Sequence, residues 1–390
     1  MGTDGDLGWP VLTVATSLAN LDTLTRELRG AGPRPPNPDS PDAGLLATYG
    51  GKAWGLAHLH RAGFRVPPTW LIPVGACPTR DDLSTLSAIA PRWAVRSSTT
   101  AEDDADYSHA GVYTTRLDVA SADLPSVVGE VVSSATNPRA TRYREQTNQR
   151  GQVAVAVVLQ PFIEPISAGV WIGRSVTAGR LEWTVGRGER LVSGRWTPSW
   201  EEWPSDHGGA AHEVLRAGQV AIGRACLGVQ QSMQAPLDLE FAVLNSGLVW
   251  LQCRPVTGNR IPLPLLETDE IDGTTGGEIL TGTAASSGAF TGPVAVLTDP
   301  DDGSWRPGLV LVAEYTAPDW VPLLAEAGAV VTSTGGALCH AAIIARELGV
   351  PCVTGVANAM QALRTGMTVH VDGTTGQVRP QPDTSPQAQP

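Results

Sequence analysis

Lysine is almost absent from this chain of 390 residues: of its 27 lysine and arginine residues, only Lys52 is a lysine. Two explanations stay open. A sequence rich in alanine, arginine, glycine and proline makes little use of lysine, so one residue survives by chance. Alternatively, the position after Gly50 and Gly51 needs a compact ammonium, which suits a phosphate oxygen better than the planar arginine fork does.

Basic charge, paired cysteines and long apolar runs are also scarce, and each shortage narrows the class of protein. The net charge of −12 argues against nucleic acid or an anionic membrane as the main partner, although it permits a local basic pocket. The five cysteines are scattered without a CxxC pair, a pattern typical of a reducing compartment. No apolar run approaches the ~18 residues that span a bilayer, and no charged-then-apolar leader opens the chain. We therefore expect a soluble, cytoplasmic protein.

Composition divides the chain into two α/β regions joined by a segment rich in proline, glycine and charge. Apolar runs predict strands at 92–98, 111–119, 152–161, 237–244, 248–254, 308–314, 329–333 and 368–373. Helices are predicted after Lys52, at 318–328 and at 337–348. The expected organisation is an N-terminal extension at 1–44, a first domain at 45–257, a hinge linker at 258–278, a second domain at 279–380 and a disordered tail at 381–390.

Lys52 does not belong to a P-loop, because Leu46 and Ala53 stand where that motif needs glycine and serine or threonine. A second cation, Arg96, ends a predicted strand, and Gly111 opens the next strand after an acidic loop. A flap of this kind, with glycine at its tip, can lay backbone N–H groups over phosphates. The alternative is an ordinary hairpin with a surface arginine.

The segment 236–255 predicts two alternating strands around Asn-Ser-Gly, a three-residue hairpin loop. Centring the turn on the serine places Glu240 opposite Gln252 and Asp238 opposite Arg254, with all four side chains on one face. Carboxylate and amide oxygens are hard ligands for Mg²⁺, and an arginine can reach phosphate. A Mg²⁺-nucleotide site is therefore favoured over a solvated outer face.

These segments resemble the nucleotide-binding domain shared by pyruvate phosphate dikinase, phosphoenolpyruvate synthase and rifampin phosphotransferase, which is an ATP-grasp fold. The similar stretches cover nearly all of residues 45–257, and Arg187 replaces the usual leucine in one of them. They are GGKAWGLAHLHRAGFRVPPTW (50–70), AVRSSTTAED (94–103), SHAGVYTT (108–115), VGRGERLVSG (185–194), DLEFAV (238–243) and LQCRPVT (251–257).

The resemblance implies that the ligands are ATP, as substrate, and Mg²⁺. Gln160 would lie at the hinge near adenine, and Glu240 and Gln252 would hold the metal. The remaining nucleotide contacts, mostly to phosphates, would come from Lys52, Arg96, Gly111, Thr115 and Arg254.

The segment TSTGGALCHAAIIARELGVP (332–351) predicts a strand, a sharp glycine turn and a helix that ends at Gly349. His340 then lies in the first helical turn, where free N–H groups and the helix dipole favour an anion. A neutral imidazole there can act as a nucleophile, whereas a structural histidine is the alternative.

This segment resembles the swivelling phosphohistidine domain of the same family, whose signature is GG-x-T-(S/C)-H-A-A, and residues 284–294 resemble that domain's opening. The resemblance implies that His340 is the phosphorylated residue. Leu338 stands where dikinases commonly have threonine, so regulation by phosphorylation there is not expected; Cys339 agrees with the synthase-like variant. The other histidines are interpreted as solvated or structural: His58, His60, His109, His207, His212 and His370.

The expected fold is therefore α/β (α+β), an ATP-grasp domain followed by a small swivelling phosphohistidine domain. The implied enzyme is a dikinase-type phosphotransferase that moves the β-phosphate of ATP through His340 to a hydroxyl or amine of a small-molecule acceptor, releasing AMP and phosphate. The large barrel that binds pyruvate or phosphoenolpyruvate in full-length relatives is not recognisable here, and the linker has no room for an inserted acceptor domain. The alternative is a phosphohistidine carrier in a split synthase-like system that passes phosphate to a partner protein.

The sequence contains one pointer to the acceptor, the cluster of Trp196, Trp200 and Trp203 in residues 194–204. Aromatic side chains near the ATP domain would suit an apolar or aromatic acceptor. Packing in a hydrophobic core is the alternative.

Overall fold

The computed structural model describes residues 18–29, 32–33, 39–99, 113–136, 154–204, 215–218, 220–256 and 279–382. The chain divides into two compact units. The first comprises residues up to Gly188 together with Ser199–Thr257, and the second comprises Glu189–Pro198 together with Gly258–Pro390. The predicted linker at 258–278 and the tail beyond residue 382 lie outside the described residues.

Both units mix helices and strands, as predicted. The helices of the described chain are α1 (Leu21–Glu27), α2 (Pro41–Arg61), α3 (Arg80–Leu86), α4 (Leu124–Ser133), α5 (Glu189–Val192), α6 (Ile222–Met233), α7 (Val321–Glu326), α8 (His340–Leu348) and α9 (Ala359–Ala362). The strands of the first unit are β1 (Ala19–Asn20), β2 (Trp70–Ile72), β3 (Arg92–Thr99), β4 (Thr115–Ala120), β5 (Val155–Pro161), β6 (Ser167–Ser175), β7 (Ala178–Val185), β8 (Ser199–Trp203), β9 (Arg216–Ala217), β10 (Val220–Ala221), β11 (Leu237–Leu244) and β12 (Gly247–Pro255). Those of the second unit are β13 (Leu280–Thr281), β14 (Thr283–Ser286), β15 (Ala289–Val296), β16 (Val310–Ala313), β17 (Ala329–Thr332), β18 (Cys352–Thr354), β19 (Thr368–Asp372) and β20 (Gln377–Pro380).

Two five-stranded antiparallel sheets organise the first unit, with strand orders β1-β2-β5-β3-β4 and β12-β11-β6-β7-β8. Helix α2 contacts strands of both sheets, because its second half buries an apolar stripe. The predicted members of that stripe are all fully buried: Ala53, Leu56, Ala57 and Leu59. Helix α1, inside the predicted N-terminal extension, adds Leu21, Leu24 and Leu28 to the same core.

The hairpin β11–β12 has the predicted pairing at its far end but a different turn. Asp238 faces Arg254 and Glu240 faces Gln252, as expected. The turn, however, contains two residues and not three, since Leu244 already pairs with Gly247. A one-residue shift between Glu240 and Phe241 makes up the difference, because Leu251 is inserted as a β-bulge.

Strands β6 to β8, which complete the second sheet, were not predicted from the sequence. In β6, eight of nine residues are buried, so both faces are covered and no apolar–polar alternation marks the strand. Helix α6 was also missed.

One eight-stranded sheet forms the second unit, in the order β13-β20-β19-β15-β16-β17-β18-β14. Strands β15 to β18 are parallel to one another, β16 to β18 are wholly buried, and the outer strands are antiparallel. Helix α8 follows β17 after a seven-residue loop. It begins at His340 and not at residue 337 as predicted, because Cys339 has extended backbone angles (φ −70°, ψ 163°) and ends the loop.

Candidate functional site

Arg96 lies at the centre of a polar cluster between the two sheets of the first unit. Its Nη2 donates to Glu240 Oε2 at 2.6 Å and to Gln252 Oε1 at 3.0 Å, and its Nη1 donates to the Leu251 carbonyl oxygen at 2.6 Å. The bulge at Leu251 therefore supplies one of the acceptors. The side chain of Arg96 is about 10% exposed, so these hydrogen bonds are largely screened from solvent.

Next to this cluster, Arg254 donates to Asp238 Oδ2 from Nε at 2.8 Å and from Nη2 at 2.6 Å. The two residues are cross-strand partners, one row from Glu240 and Gln252 on the same face. The predicted quartet thus exists as two adjacent pairs, with Arg96 from the other sheet bound to one of them.

Lys52 lies in the first turn of the second helical segment of α2, and two contacts fix that turn. Gly50 has φ 73° and ψ 173° and leaves no space for a Cβ against the backbone of Ser98. Ser98 Oγ donates to the Tyr49 carbonyl oxygen at 2.7 Å and accepts from the Ala53 N–H at 3.2 Å. Because Ser98 and Arg96 share a face of β3, the glycine turn positions Lys52 on the side of the sheet that carries Arg96.

Gln160 and Thr115 occupy the same face of the first sheet. Thr115 is paired with Arg96 across β3 and β4, and Gln160 is one row further along on β5. Gln160 is buried and donates from Nε2 to Thr69 Oγ1 at 3.0 Å. Gly111 lies outside the described residues, so its predicted contact with phosphate stays a prediction.

The chemistry of Glu240 and Gln252 fits a divalent cation. Their side-chain oxygens converge on one positively charged atom, Arg96 Nη2, at 2.6 and 3.0 Å. Mg²⁺ prefers such oxygen donors and is commonly held by one or two protein ligands plus substrate phosphates. Within the described part of the chain, no cluster of three or more His, Cys, Asp or Glu residues could hold a metal ion.

The charged face of the second sheet continues beyond the predicted residues. Arg180 and Glu182 of β7 are both about 2% exposed and are joined by a 2.9 Å hydrogen bond, and Glu202 of β8 binds Arg174 at 2.7 Å. Burial raises the pKa of the Glu202 carboxyl, and both arginines oppose that change. Arg180 also stacks on Trp200, 4.2 Å from the ring centroid. Alternation in Arg-Leu-Glu-Trp was the only sequence signal for this group.

Arg187, which departs from the family pattern, has structural partners in the first unit. Its guanidinium donates to Glu164 at 2.7 Å and to Asp118 at 3.3 Å, and it stacks over Phe162. Asp118 is also bound by Arg92. These exposed pairs connect β4 to the turn after β7.

His340 is the first residue of α8 in the second unit and is about 7% exposed. Its Nδ1 lies 3.0 Å from Thr316 Oγ1, and Thr316 is buried in the segment after β16. No side chain caps α8 within the described residues, so its first N–H groups have no hydrogen bond from a capping side chain. The imidazole thus lies at the positive end of the dipole of α8, where a helix favours negative charge.

The loop before His340 is fixed by hydrogen bonds from hydroxyl groups and backbone. Thr334 Oγ1 donates to the Gly194 carbonyl oxygen at 2.6 Å, and Thr354 Oγ1 donates to the Gly336 carbonyl oxygen at 3.1 Å. Gly335 has φ 106°, which a side chain would rarely tolerate. Leu338, at the position where dikinases carry threonine, is buried.

The remaining described histidines have structural settings. His58 packs edge-on against Trp54 in the core, where burial and the neighbouring Arg61 lower its pKa to about 4. His60 contacts Asp22, and His370 Nδ1 lies 2.8 Å from Thr291 Oγ1 at the surface. His109, His207 and His212 lie outside the described residues.

The three tryptophans do not lie on one surface. Trp203 donates from Nε1 to Glu201 and packs closely on Gly223 of α6, whereas Trp200 is on the opposite face of β8. Trp196 is exposed and belongs to the second unit. Trp200 and Trp203 therefore do not share a face, and the apolar or aromatic acceptor stays a prediction.

Comparison with known families matches both halves of the chain. Residues 79–208 match the AMP/ATP-binding domain of pyruvate phosphate dikinase, and residues 305–376 match the mobile domain of PEP-utilising enzymes. The chain belongs to the phosphoenolpyruvate synthase and pyruvate phosphate dikinase family. The predicted fold class, an ATP-grasp domain followed by a phosphohistidine domain of the mobile type, is confirmed by these matches and by the α/β architecture.

Phosphoenolpyruvate synthases are among the relatives by sequence. A probable phosphoenolpyruvate synthase from Methanothermobacter thermautotrophicus is 32% identical over 73% of this chain and 46% of its own length. The phosphoenolpyruvate synthase of Pyrococcus furiosus is 33% identical over 73% of this chain and 40% of its own length. The chain thus spans less than half the length of these relatives.

Among solved structures, the D-alanine–D-alanine ligase of Helicobacter pylori is 10% identical, with a TM-score of 0.30, over 55% of each chain. A likeness of this size carries no weight for fold or function. Among the described residues, no helix combines the length and the apolar character needed to cross a bilayer.

Proposed function

We propose that this chain uses ATP to phosphorylate His340 and passes the phosphate to a hydroxyl or amine of a small molecule. The main support is the presence of two complementary sites on one chain. In the first unit, the side-chain oxygens of Glu240 and Gln252 both accept hydrogen bonds from the guanidinium of Arg96. In the second, a buried imidazole begins a helix and is held through Nδ1.

In the first unit, Lys52, Arg96 and Arg254 supply positive charge for the phosphates. Glu240 and Gln252 would hold Mg²⁺, which when bound offsets the charge on the phosphate oxygens. Arg96 would then give up these two oxygens and donate to phosphate instead. Gln160 would lie near adenine, and Thr115, on the same face of the sheet as Arg96, would add to the nucleotide contacts.

In the second unit, Nε2 of His340 attacks the β-phosphorus of ATP while Nδ1 keeps its hydrogen bond to Thr316. The Nε2–P bond forms, the bond between the β-phosphorus and the AMP oxygen breaks, and AMP leaves. Water then displaces the γ-phosphate, and the phosphoryl group on His340 passes to the acceptor. The uncapped N-terminus of α8 stabilises the negative charge on the modified imidazole.

Isotope position tests this function directly. With ATP labelled at the β-phosphate, we expect label on the protein that is stable to base and lost in acid; with γ-label, we expect free phosphate. His340→Ala should abolish both outcomes. His370→Ala is the matched control, because His370 also contacts a threonine through Nδ1 but lies at the surface.

Three outcomes would separate this function from others. ADP with a γ-labelled acceptor would indicate an ordinary kinase and overturn the proposal. Turnover by His340→Ala would do the same. AMP formation that requires a second protein, with any small molecule present, would favour a phosphohistidine carrier over a phosphotransferase acting on small molecules.

A further inference from the structure

Residues Glu189–Pro198 lie between β7 and β8 in the sequence but group with the second unit. Their central turn is fitted against the histidine loop. Gly194 has φ 69°, and a Cβ added there would lie 3.3 Å from Cys339 Cβ and 3.8 Å from Tyr315 Cβ. Thr334 Oγ1 binds the Gly194 carbonyl oxygen at 2.6 Å. The turn is therefore held beside the residue that immediately precedes His340.

A second contact supports the same position from the other side of the turn. A Cβ at Gly355, which has φ 67°, would lie 3.4 Å from Thr197 Cγ2. The stretch from Gly194 to Thr197 is thus packed at each end, and this packing restricts the backbone of the two residues between them.

Arg195 follows Gly194 directly. Its guanidinium carbon lies 5.1 Å from the ring centroid of Tyr315, a cation–π contact that restricts the side chain. Tyr315 precedes Thr316, whose hydroxyl contacts His340 Nδ1 at 3.0 Å. Stacking therefore holds the guanidinium against the residue next to Thr316, the hydrogen-bond partner of the imidazole.

The other charged groups near the loop are engaged elsewhere or have the opposite sign. Arg346 binds the carbonyl oxygens of Ala337 and Ala342 and so braces the loop from within α8. Glu314 is exposed, and its backbone carbonyl oxygen accepts a hydrogen bond from Thr334 Oγ1. Within the described residues, no ion pair engages Arg195, so its fork retains the capacity to bind an anion.

We propose that Arg195 binds the phosphoryl group carried by His340, an assignment that rests on the proposed function and adds a residue to it. When Nε2 carries phosphate, two or more N–H groups of the guanidinium donate to its oxygens, and Tyr315 keeps the fork oriented. The turn that contains Arg195 thereby completes the anion site begun by the N-terminus of α8.

The test measures the ionisation of the phosphoryl group itself. The full-length chain is loaded at His340 with phosphoramidate, which phosphorylates histidine without nucleotide, and the phosphorus resonance is followed against pH. A bound guanidinium favours the dianion, so in Arg195→Gln the pKa of the phosphoryl group should rise by about one pH unit relative to wild type. Arg195→Lys should recover part of that difference.

Arg190→Gln is the matched control, because Arg190 lies on the same segment and stacks on the exposed Trp196. It should titrate like wild type. Superimposable titrations of wild type and Arg195→Gln would overturn the assignment, as would an equal shift in Arg190→Gln.

Failure of this inference is distinguishable from failure of the proposed function. If wild type takes no label from ATP but the phosphoramidate-loaded protein shows the Arg195 effect, the ATP reaction is wrong and the anion site is correct. If ATP labels His340 and the Arg195 variant titrates normally, the reverse holds.

Discussion

The two candidate sites hold their charges in opposite ways. In the first unit, Arg96 is bound to Glu240 and Gln252, and Arg254 is bound to Asp238, so cations and acids satisfy one another. In the second unit, His340 is held by the neutral hydroxyl of Thr316. The proposed nucleotide would have to displace existing partners at the first site, whereas the hydrogen bond between Thr316 and His340 can persist during the proposed reaction.

This difference predicts that metal concentration and ionic strength affect the first site more than the second. Replacing an internal ion pair by Mg²⁺ and phosphate depends on the metal concentration and on ionic strength, because partly exposed charges are screened by salt. Attack by His340 depends on hydrogen-bond geometry, which salt alters little. Variants in the two units should therefore affect different steps.

Lys52→Ala should have the largest effect on the first site. Loss of a phosphate cation is expected to lower AMP formation about 100-fold, since a preorganised charge near developing negative charge typically contributes that much. The melting temperature should change little, because the side chain is only half-buried. Full activity of Lys52→Arg would show that the single lysine reflects composition and not chemistry.

Glu240→Gln should have the next largest effect, which is measured by titrating AMP formation with Mg²⁺. Removing one carboxylate should raise the Mg²⁺ concentration for half-maximal AMP formation roughly tenfold. Asp238→Asn, one row away and paired with Arg254, is the matched control and should shift it about twofold at most. Identical titrations for wild type and Glu240→Gln would remove this residue from the metal site.

Thr316→Val should have the smallest effect, and that effect should be confined to the second site. Losing the hydrogen bond to Nδ1 is expected to slow labelling of His340 about fivefold, with ATP affinity unchanged. Thr316→Ser should restore the rate. The control is Thr291→Val, which removes the corresponding contact to the exposed His370. A change in ATP affinity in Thr316→Val would contradict the separation of the two sites.

The hairpin β11–β12 shows how far sequence reasoning can reach. The facing pairs were predicted correctly, but from a three-residue turn that does not exist. The true turn is one residue shorter, and the bulge at Leu251 restores the register beyond it. A bulge leaves no clear mark in a single sequence, so its second consequence, a carbonyl oxygen directed to Arg96, was not predictable.

Other parts of the sites depend on contacts between residues distant in the sequence. Arg96 and Glu240 are separated by 144 positions, and Thr334 and Gly194 by 140. Local patterns identified Arg96, Glu240 and His340 as chemically interesting, because the sequence places them before an acidic loop, in a hairpin and after a glycine turn. Thr316 and Arg195 carried no such signal, because only the packed fold brings Thr316 to His340 and Arg195 to Tyr315.

The close approaches of Gly50 and Gly55 also bring the backbone of α2 against both sheets of the first unit. Gly50 has no room for a Cβ against Ser98 of the first sheet, and Gly55 has none against the carbonyl oxygen of Cys253 in the second. Four residues lie between these two positions, at the start of the second helical segment of α2, since Gly50 itself has non-helical backbone angles. At this point the helix backbone itself, and not only its side chains, contacts both sheets. Lys52 lies between the two glycines, so two close backbone contacts restrict the position from which its side chain extends.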